Sequence, residues 1–179
     1  MIFKNSLIAV FWFKPIQAVE NYKTMQEIKA PHSLYGSQFM TKIFLAGSIE
    51  MGAAENWQER VKRLLADREH IMLFNPRRDD WDSSWVQSIE NDKFVEQVTW
   101  ELEAMERADI ILMYFDPPTK SPISLLELGL WANNRGNHTS KLRVVCPKGF
   151  WRKGNVDIVC ARYNVPQFKT IEDAIIDIS

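Results

Sequence analysis

Short apolar runs alternate along the chain with longer segments in which apolar residues recur every three or four positions. The runs have the length and the uninterrupted apolar character of strands buried on both faces of a parallel sheet, and they lie at residues 43–46, 71–74, 110–115 and 142–146. The periodic segments predict helices, which lie at residues 54–69, at 94–107, from Pro122 onward, and at 171–178. Strands that alternate with helices in this order predict an α/β fold with a doubly wound parallel sheet.

The first 39 residues do not continue this pattern. Residues 7–13 form an apolar run that is too short to span a bilayer, and no convincing small-residue cleavage site follows it. Residues 17–35 are mixed in character and rich in turn-forming residues. We therefore predict an N-terminal extension at residues 1–39, a single domain at residues 40–179, and a cytoplasmic protein that is neither secreted nor bound to a membrane.

The composition excludes some classes of partner. Lysine and arginine number 22 and aspartate and glutamate 23, without a long basic run, so we predict no nucleic-acid polymer as a partner. The two cysteines, Cys146 and Cys160, do not have CxxC spacing, and with three scattered histidines they do not predict a metal site. At 179 residues, of which 46% are hydrophobic, the chain is long enough for one domain with its own core.

Glu127 is the first candidate for chemistry. Ser121 and Pro122 follow a turn and predict the start of a helix, with the serine side chain as N-cap and the proline at the first helical position. Glu127 lies on the apolar stripe of this helix, together with Ile123, Leu126, Leu130 and Trp131. An inward carboxylate is costly unless it is paired or used, and ligands bind at the carboxyl ends of such strands. The alternative is that Glu127 turns to solvent or pairs with a neighbour such as Arg135.

Glu101 is the second candidate. It takes a core-facing place on the predicted helix at residues 94–107, in a stripe that also contains Phe94, Val98 and Met105. The alternative is an acid that the dipole of the helix tolerates. A glycine-containing loop at residues 47–52 is the third element, in which Gly47 allows close approach of a ligand and Ser48 offers a hydroxyl group. This loop is neither a GxGxxG fingerprint nor a Walker loop, so we predict no dinucleotide or triphosphate site.

Several of these motifs occur together in one known family. They are IFLAGSI at residues 43–49, ADII at residues 108–111, Ser121, and ELG at residues 127–129. In these motifs the chain resembles the nucleoside 2-deoxyribosyltransferase superfamily, which includes the 2′-deoxynucleoside 5′-phosphate N-hydrolases. The resemblance covers about residues 40–160, and its most specific part is the strand, turn and ELG sequence. It implies a flavodoxin-like sheet, no cofactor, a small-molecule nucleoside or nucleotide substrate, and a homo-oligomer whose subunits share sites.

The resemblance also implies a role for each candidate residue. Glu127 matches the nucleophile that attacks the anomeric carbon of the sugar, and Glu101 matches an acid that contacts the ligand and helps to protonate the leaving base. Ser121 matches the position that binds the 5′ end of the ligand. We also predict that Gly47, Ser48 and Ile49 bind the substrate, and Asn155 is a candidate for the family asparagine that reaches the site of a neighbouring subunit.

The chain departs from the family pattern at two positions. Phe44 replaces a tyrosine that hydrogen-bonds the nucleophile, and Glu50 stands where the phosphate-dependent hydrolases carry an arginine. Arg77 and Arg78 are candidates to supply the missing positive charge; the alternative is that they pair with nearby acids, which are Asp79, Asp80 and Asp82. For the two tryptophans of this loop, Trp81 and Trp85, stacking on a base competes with packing in the core or a lid.

These residues suit the cleavage of an N-glycosidic bond. The reaction needs a carboxylate to trap an oxocarbenium-like carbon and an acid to protonate the departing base, for which we predict an ionised Glu127 and a protonated Glu101. We therefore predict a nucleoside 2-deoxyribosyltransferase-like enzyme that cleaves or exchanges this bond. The alternatives are a nucleoside 5′-monophosphate N-hydrolase, a non-catalytic nucleotide sensor that Phe44 favours, and a Rossmann-like phosphoribohydrolase, whose PGGxGT-type loop is absent from the sequence.

Overall fold

The computed structural model describes residues 24–35, 40–49, 54–133 and 140–178 of the chain. Within these residues the strands are β1 (Gln26–Lys29), β2 (Thr41–Gly47), β3 (Ile71–Asn75), β4 (Ile110–Tyr114), β5 (Leu142–Val145) and β6 (Gln167–Phe168). The helices are α1 (Trp57–Leu64), α2 (Asp92–Arg107), α3 (Pro122–Ala132), α4 (Lys153–Tyr163) and α5 (Ile171–Ile178).

The six strands form one parallel sheet in the order β1-β3-β2-β4-β5-β6. Helices α2, α3 and α4 cover one face, where they bury residues such as Trp100, Leu128 and Cys160 against the sheet. Helices α1 and α5 cover the other face, with Trp57 and Ile175 in the second core. Layers of helices on both faces of a parallel sheet confirm the predicted doubly wound α/β fold.

Three elements were missed by the sequence pattern. Residues 17–35 are mixed and turn-rich in sequence, yet β1 forms an edge strand within them; its sequence, QEIK, has a single apolar residue and therefore shows no apolar run. Residues 147–155 were predicted to be a loop, but α4 begins at Lys153, with a glycine in its first turn and only Val156 and Cys160 buried. Strand β6 has two residues, too few for a period to be visible.

The predicted domain boundary at Met40 stays a prediction, which limited proteolysis would test. Strand β1 lies before that boundary and pairs with β3, from Gln26 opposite Met72 to Lys29 opposite Asn75. The apolar run at residues 7–13 lies outside the described residues. The predicted helix at residues 54–69 is shorter in the structure; Leu64 near its end is exposed, whereas Leu65 is buried.

The carboxyl end of β2 is held tightly against β4. Gly47 has φ +137°, and a Cβ at this position would lie 2.2 Å from the carbonyl oxygen of Tyr114, so the backbone approach requires glycine. Beside it, the Ser48 amide donates to the same carbonyl oxygen at 2.9 Å. The glycine was predicted to allow the approach of a ligand; in the structure it also allows the approach of the neighbouring strand, which fixes the floor of the candidate site.

Candidate active site

A cavity of about 650 Å³ lies at the carboxyl ends of the central strands. Its walls come from α2, from α3 and from the loop that follows β3, and its floor includes the ends of β2 and the start of α3. The predicted site residues that line it are Glu101, Glu127, Gly47, Ile49, Ser121 and Arg77. Its volume suits a small organic ligand, and its position outside the carboxyl ends is the usual place for one in a doubly wound sheet.

Helix α3 brings Glu127 to the border between the core and the cavity. The buried residues of this helix include Leu128, Trp131 and Ala132, which pack on the sheet, and Glu127 itself is 9% exposed. The predicted stripe was partly wrong, because three of its members line the cavity and remain exposed: Ile123 (59%), Leu126 (68%) and Leu130 (56%). The face of α3 that packs on the sheet is therefore centred on Leu128 rather than on the predicted stripe, and Glu127 lies at the edge of this face, beside the cavity.

The carboxylate of Glu127 has no hydrogen bond or ion pair with any residue that the structure describes. Arg135, the alternative partner, lies outside the described residues. Burial, followed by the negative charge of Glu101, raises the pKa of Glu127 to about 8. A buried carboxyl group that faces a cavity without a donor is uncommon in a purely structural role, because leaving it unsatisfied is costly.

Glu101 is held by a glutamine that the sequence analysis did not identify. One N–H of the Gln97 side-chain amide donates to Glu101 Oε1 at 2.7 Å, and the same nitrogen donates to the carbonyl oxygen of Pro76 at 2.9 Å. Burial raises the pKa of Glu101 to about 7, and the hydrogen bond from Gln97 opposes this shift. The spacing of four residues on one helix was the available signal, because it places both side chains on the same face.

The protonation states of the two acids stay a prediction. We expected an ionised Glu127 and a protonated Glu101, but burial raises the pKa of both, to about 8 and about 7 respectively. Glu101 accepts a hydrogen bond from Gln97, whereas Glu127 accepts none among the described residues. The two groups titrate as a coupled pair, so the shared proton belongs to the pair rather than to either residue.

Three hydroxyl groups form a buried cluster beneath the start of α3. Ser48 Oγ lies 2.6 Å from Ser121 Oγ and 2.8 Å from Thr119 Oγ1, and the two latter atoms are 2.7 Å apart. Ser121 is the N-cap residue in a left-handed conformation (φ 45°), but its side chain does not cap the helix as predicted, because it joins this cluster instead. Ser48 supports Ser121 from below, since it is buried and does not itself line the cavity. Thr119 was not identified from the sequence.

The two arginines after β3 have different environments. The Arg78 guanidinium donates to Asp80 Oδ1 at 2.8 Å and to Glu96 Oε2 at 3.0 Å, which lowers the pKa of Asp80 to about 2. The charge of Arg78 is therefore balanced by these two acids, in agreement with the alternative that the arginines pair with acidic residues. Arg77 lines the cavity, and its Nη1 atom is buried without a hydrogen-bond partner among the described residues. Arg77 is thus the better candidate to meet a negatively charged or carbonyl group of a ligand.

The two tryptophans of this loop are also distinct. Trp81 lines the cavity. Trp85 packs against the Trp81 ring, with ring centroids 5.1 Å apart, and against the guanidinium of Arg78. Stacking on a ligand is therefore open to Trp81, and the packing role falls to Trp85.

The remaining predictions have different outcomes. Asn155 is exposed on α4 and is not among the residues that line the cavity, so its role toward a neighbouring subunit stays a prediction. Glu50 lies outside the described residues. Phe44 is buried and lines the cavity, where it offers an apolar surface.

Replacing Gln97 with methionine is expected to shift the alkaline limb of the pH profile, which reports the proton of Glu101, to higher pH by about one pH unit or more. The hydrogen bond from Gln97 stabilises the ionised form of Glu101, so its loss raises the pKa of Glu101; one hydrogen bond to a charged group is worth about a factor of ten or more. Gln58→Met is a matched control, because Gln58 is buried on α1 outside the cavity and has no side-chain partner among the described residues. An unchanged limb in Gln97→Met would contradict this positioning role.

In the described part of the chain, no group of side chains has a metal-binding arrangement and no helix could cross a bilayer.

Comparison with known proteins supports the resemblance seen in the sequence. A search of curated proteins gives no match. The sequence model of the family described as nucleoside 2-deoxyribosyltransferase like matches residues 40–150, the segment that contains β2 to β5 and both cavity acids. The chain therefore belongs to the nucleoside 2-deoxyribosyltransferase-like family.

Proposed function

We propose that the protein is an enzyme that cleaves or exchanges the N-glycosidic bond of a nucleoside or nucleotide, with Glu127 as the nucleophile and Glu101 as the acid. The observation that carries this proposal is the pair of buried carboxyl groups, from two different helices, that face one cavity at the carboxyl edge of the sheet. The family to which the chain belongs supports the same chemistry.

In the first step a carboxylate oxygen of Glu127 forms a bond to the anomeric carbon while the bond from that carbon to the base nitrogen breaks. The electron pair of the broken bond goes to the base, and the proton of Glu101 neutralises it. Glu101 Oε1 accepts the hydrogen bond from Gln97, so the transferred proton is carried by Oε2. Water or a second base then attacks the glycosyl ester, releases Glu127, and returns a proton to Glu101.

The remaining cavity residues suggest how a ligand lies. The 5′ end of the sugar is assigned to Ser121, whose hydroxyl group is fixed by Ser48 and Thr119. The base is assigned to the side of Glu101, where Trp81 can stack on it and Arg77 can donate to it. This orientation puts the anomeric carbon between the two acids, as the proposed step requires.

A 5′-monophosphate N-hydrolase is the second candidate. Arg77 favours it, because this guanidinium lines the cavity without an ion pair among the described residues, and a phosphate group would balance its charge. In this variant of the proposal Arg77 meets the phosphate rather than the base, and water resolves the intermediate.

The test is base release from a panel of nucleosides and their 5′-monophosphates, with and without a second free base, followed by chromatography. Release without an added base indicates a hydrolase, and exchange with the added base indicates a transferase. Activity confined to the monophosphates would favour the N-hydrolase. Binding of the panel without release or exchange would overturn the enzymatic proposal in favour of a nucleotide sensor. Size-exclusion chromatography of the same samples tests the proposed homo-oligomer.

A further inference from the structure

The wall of the cavity that α2 and the loop after β3 form contains buried polar atoms without a hydrogen-bond partner among the described residues. Oε1 of Gln97 is one of them, on a residue that is 4% exposed, and Nη1 of Arg77 is another. A buried acceptor and a buried donor are costly to leave unpaired, so both indicate that a polar group of a ligand meets this wall.

The contacts of the Gln97 side-chain amide determine which of its two polar atoms is left for a ligand. Its nitrogen donates to the carbonyl oxygen of Pro76 at 2.9 Å and to Glu101 Oε1 at 2.7 Å. These two hydrogen bonds use both hydrogens of the amide nitrogen. The reverse orientation of the amide would place its oxygen against the carbonyl oxygen of Pro76. Gln97 therefore offers a ligand an acceptor, the oxygen Oε1.

The same contacts establish the order of three polar groups along this wall. Gln97 is bonded to Glu101 on one side and to the backbone of Pro76 on the other, and Arg77 directly follows Pro76. In the proposed reaction Glu101 presents its proton to the base. The wall therefore offers a donor from Glu101, an acceptor from Gln97 and a donor from Arg77, in that order.

The complementary edge of a base has an acceptor, a donor and an acceptor. The first acceptor takes the proton of Glu101, which in a pyrimidine is O2 and in a purine is N7. Uracil and thymine then present N3–H and O4, and adenine presents its 6-amino group and N1. Cytosine and the 6-oxopurines have the opposite arrangement, because N3 of cytosine and O6 of hypoxanthine or guanine are acceptors that would face the oxygen of Gln97.

We propose that Gln97 and Arg77 select the base, so that the substrate carries a 2,4-dioxopyrimidine or a 6-aminopurine. This inference rests on the proposed function, because it takes Glu101 to be the acid that meets the base. A base with the opposite arrangement sets an acceptor against Oε1 of Gln97 and a donor against the guanidinium of Arg77. Both buried groups then stay unpaired, which is the strongest means of rejection that a hydrogen-bonding site has.

The kinetic test compares kcat/KM for nucleosides that share one sugar, and for their 5′-monophosphates. Thymidine is paired with 5-methyl-2′-deoxycytidine, because the two differ only at the edge of the base, and 2′-deoxyadenosine is paired with 2′-deoxyinosine. We expect the first member of each active pair to be favoured by about 10- to 100-fold, the usual cost of leaving a buried polar group unpaired. Equal values within each pair, or a preference for the second member, would overturn the inference.

Variants test the assignment to these two side chains. Wild type and variant cleave the same bonds, so differences in the lability of those bonds cancel when the preferences of the two proteins are compared, each at its own optimum pH. We expect the preference to fall about tenfold in Gln97→Met and in Arg77→Met, and to be unchanged in Gln58→Met, which changes a buried glutamine outside the cavity. A preference that survives both cavity variants would overturn the inference.

A binding test separates this inference from the proposed function. Titration calorimetry with Glu127→Gln, which lacks the proposed nucleophile, measures the dissociation constants of the same compounds without turnover. The expected preference in binding, without base release or exchange by wild type, would overturn the proposed function and keep the inference. Base release or exchange without a preference would overturn the inference and keep the proposed function. Failure of all the compounds to bind and to react would overturn both.

Discussion

Glu127→Gln is expected to lower kcat/KM for base release or exchange at least about a thousandfold, since removal of a covalent nucleophile costs several powers of ten. The amide has nearly the same shape as the carboxyl group but cannot form the glycosyl ester. Glu127 is buried, lines the cavity and accepts no hydrogen bond from the described residues. Among these residues, the substitution therefore removes the reacting group without breaking a hydrogen bond. Chromatographic base release, compared with wild type at the same pH, measures the effect.

The stability of the same variant provides its control. The pKa of Glu127 is about 8 in the folded protein, whereas a glutamate in the unfolded chain has its ordinary pKa of 4.5. Between these values the folded state binds more protons than the unfolded state, so this residue makes wild type lose stability as pH rises. Glu127→Gln lacks this loss, and its Tm should exceed that of wild type by a margin that grows from pH 5 to pH 9.

A matched surface variant completes the comparison. Glu103→Gln changes an exposed acid of α2 outside the cavity and should leave both activity and the pH dependence of Tm unchanged. If Glu127→Gln retained activity within tenfold of wild type, Glu127 would not be the nucleophile, and the carboxyl group of Glu101 would be the next candidate.

The two acids could be predicted from the sequence because each interrupts an otherwise apolar stripe. Helical periodicity placed Glu101 and Glu127 on inward faces, and the apolar runs placed both helices next to central strands. The ends of β2 and β4 meet because these two strands, which are not consecutive in the chain, are neighbours in the sheet and share its carboxyl edge. Local patterns were therefore sufficient for the fold class and for the identity of the candidate acids.

The interactions that tune these acids could not be predicted in the same way. Whether Arg78 is balanced depends on Glu96, a residue 18 positions later that only the packing of α2 brings within 3.0 Å. The pKa of Glu101 depends on burial and on one amide, that of Gln97, and the pKa of Glu127 depends on burial and on the charge of Glu101. Elements with few apolar residues, such as β1 and α4, were missed because their stability comes from tertiary contacts rather than from their own pattern.

Glu101→Gln is expected to lower kcat/KM for natural nucleosides by about a hundredfold or more, the usual contribution of a positioned acid. A glycoside whose leaving group needs no protonation, such as a 4-nitrophenyl glycoside, should be affected much less, because only the nucleophile is then required. Wild type should show a bell-shaped pH dependence with its maximum between the pKa values of the coupled pair, about 7 and about 8. The natural and activated substrates are compared in the same buffers.

The pH profile of Glu101→Gln distinguishes an acid from a residue that only holds the site together. The variant lacks the alkaline limb, because no acid remains to lose its proton. Its acidic limb moves to lower pH, because the negative charge of Glu101 that helps to raise the pKa of Glu127 is gone. A residue with a structural role would lower activity on both substrates by the same factor and leave both limbs in place, and that result would assign the proton of the leaving base to another group.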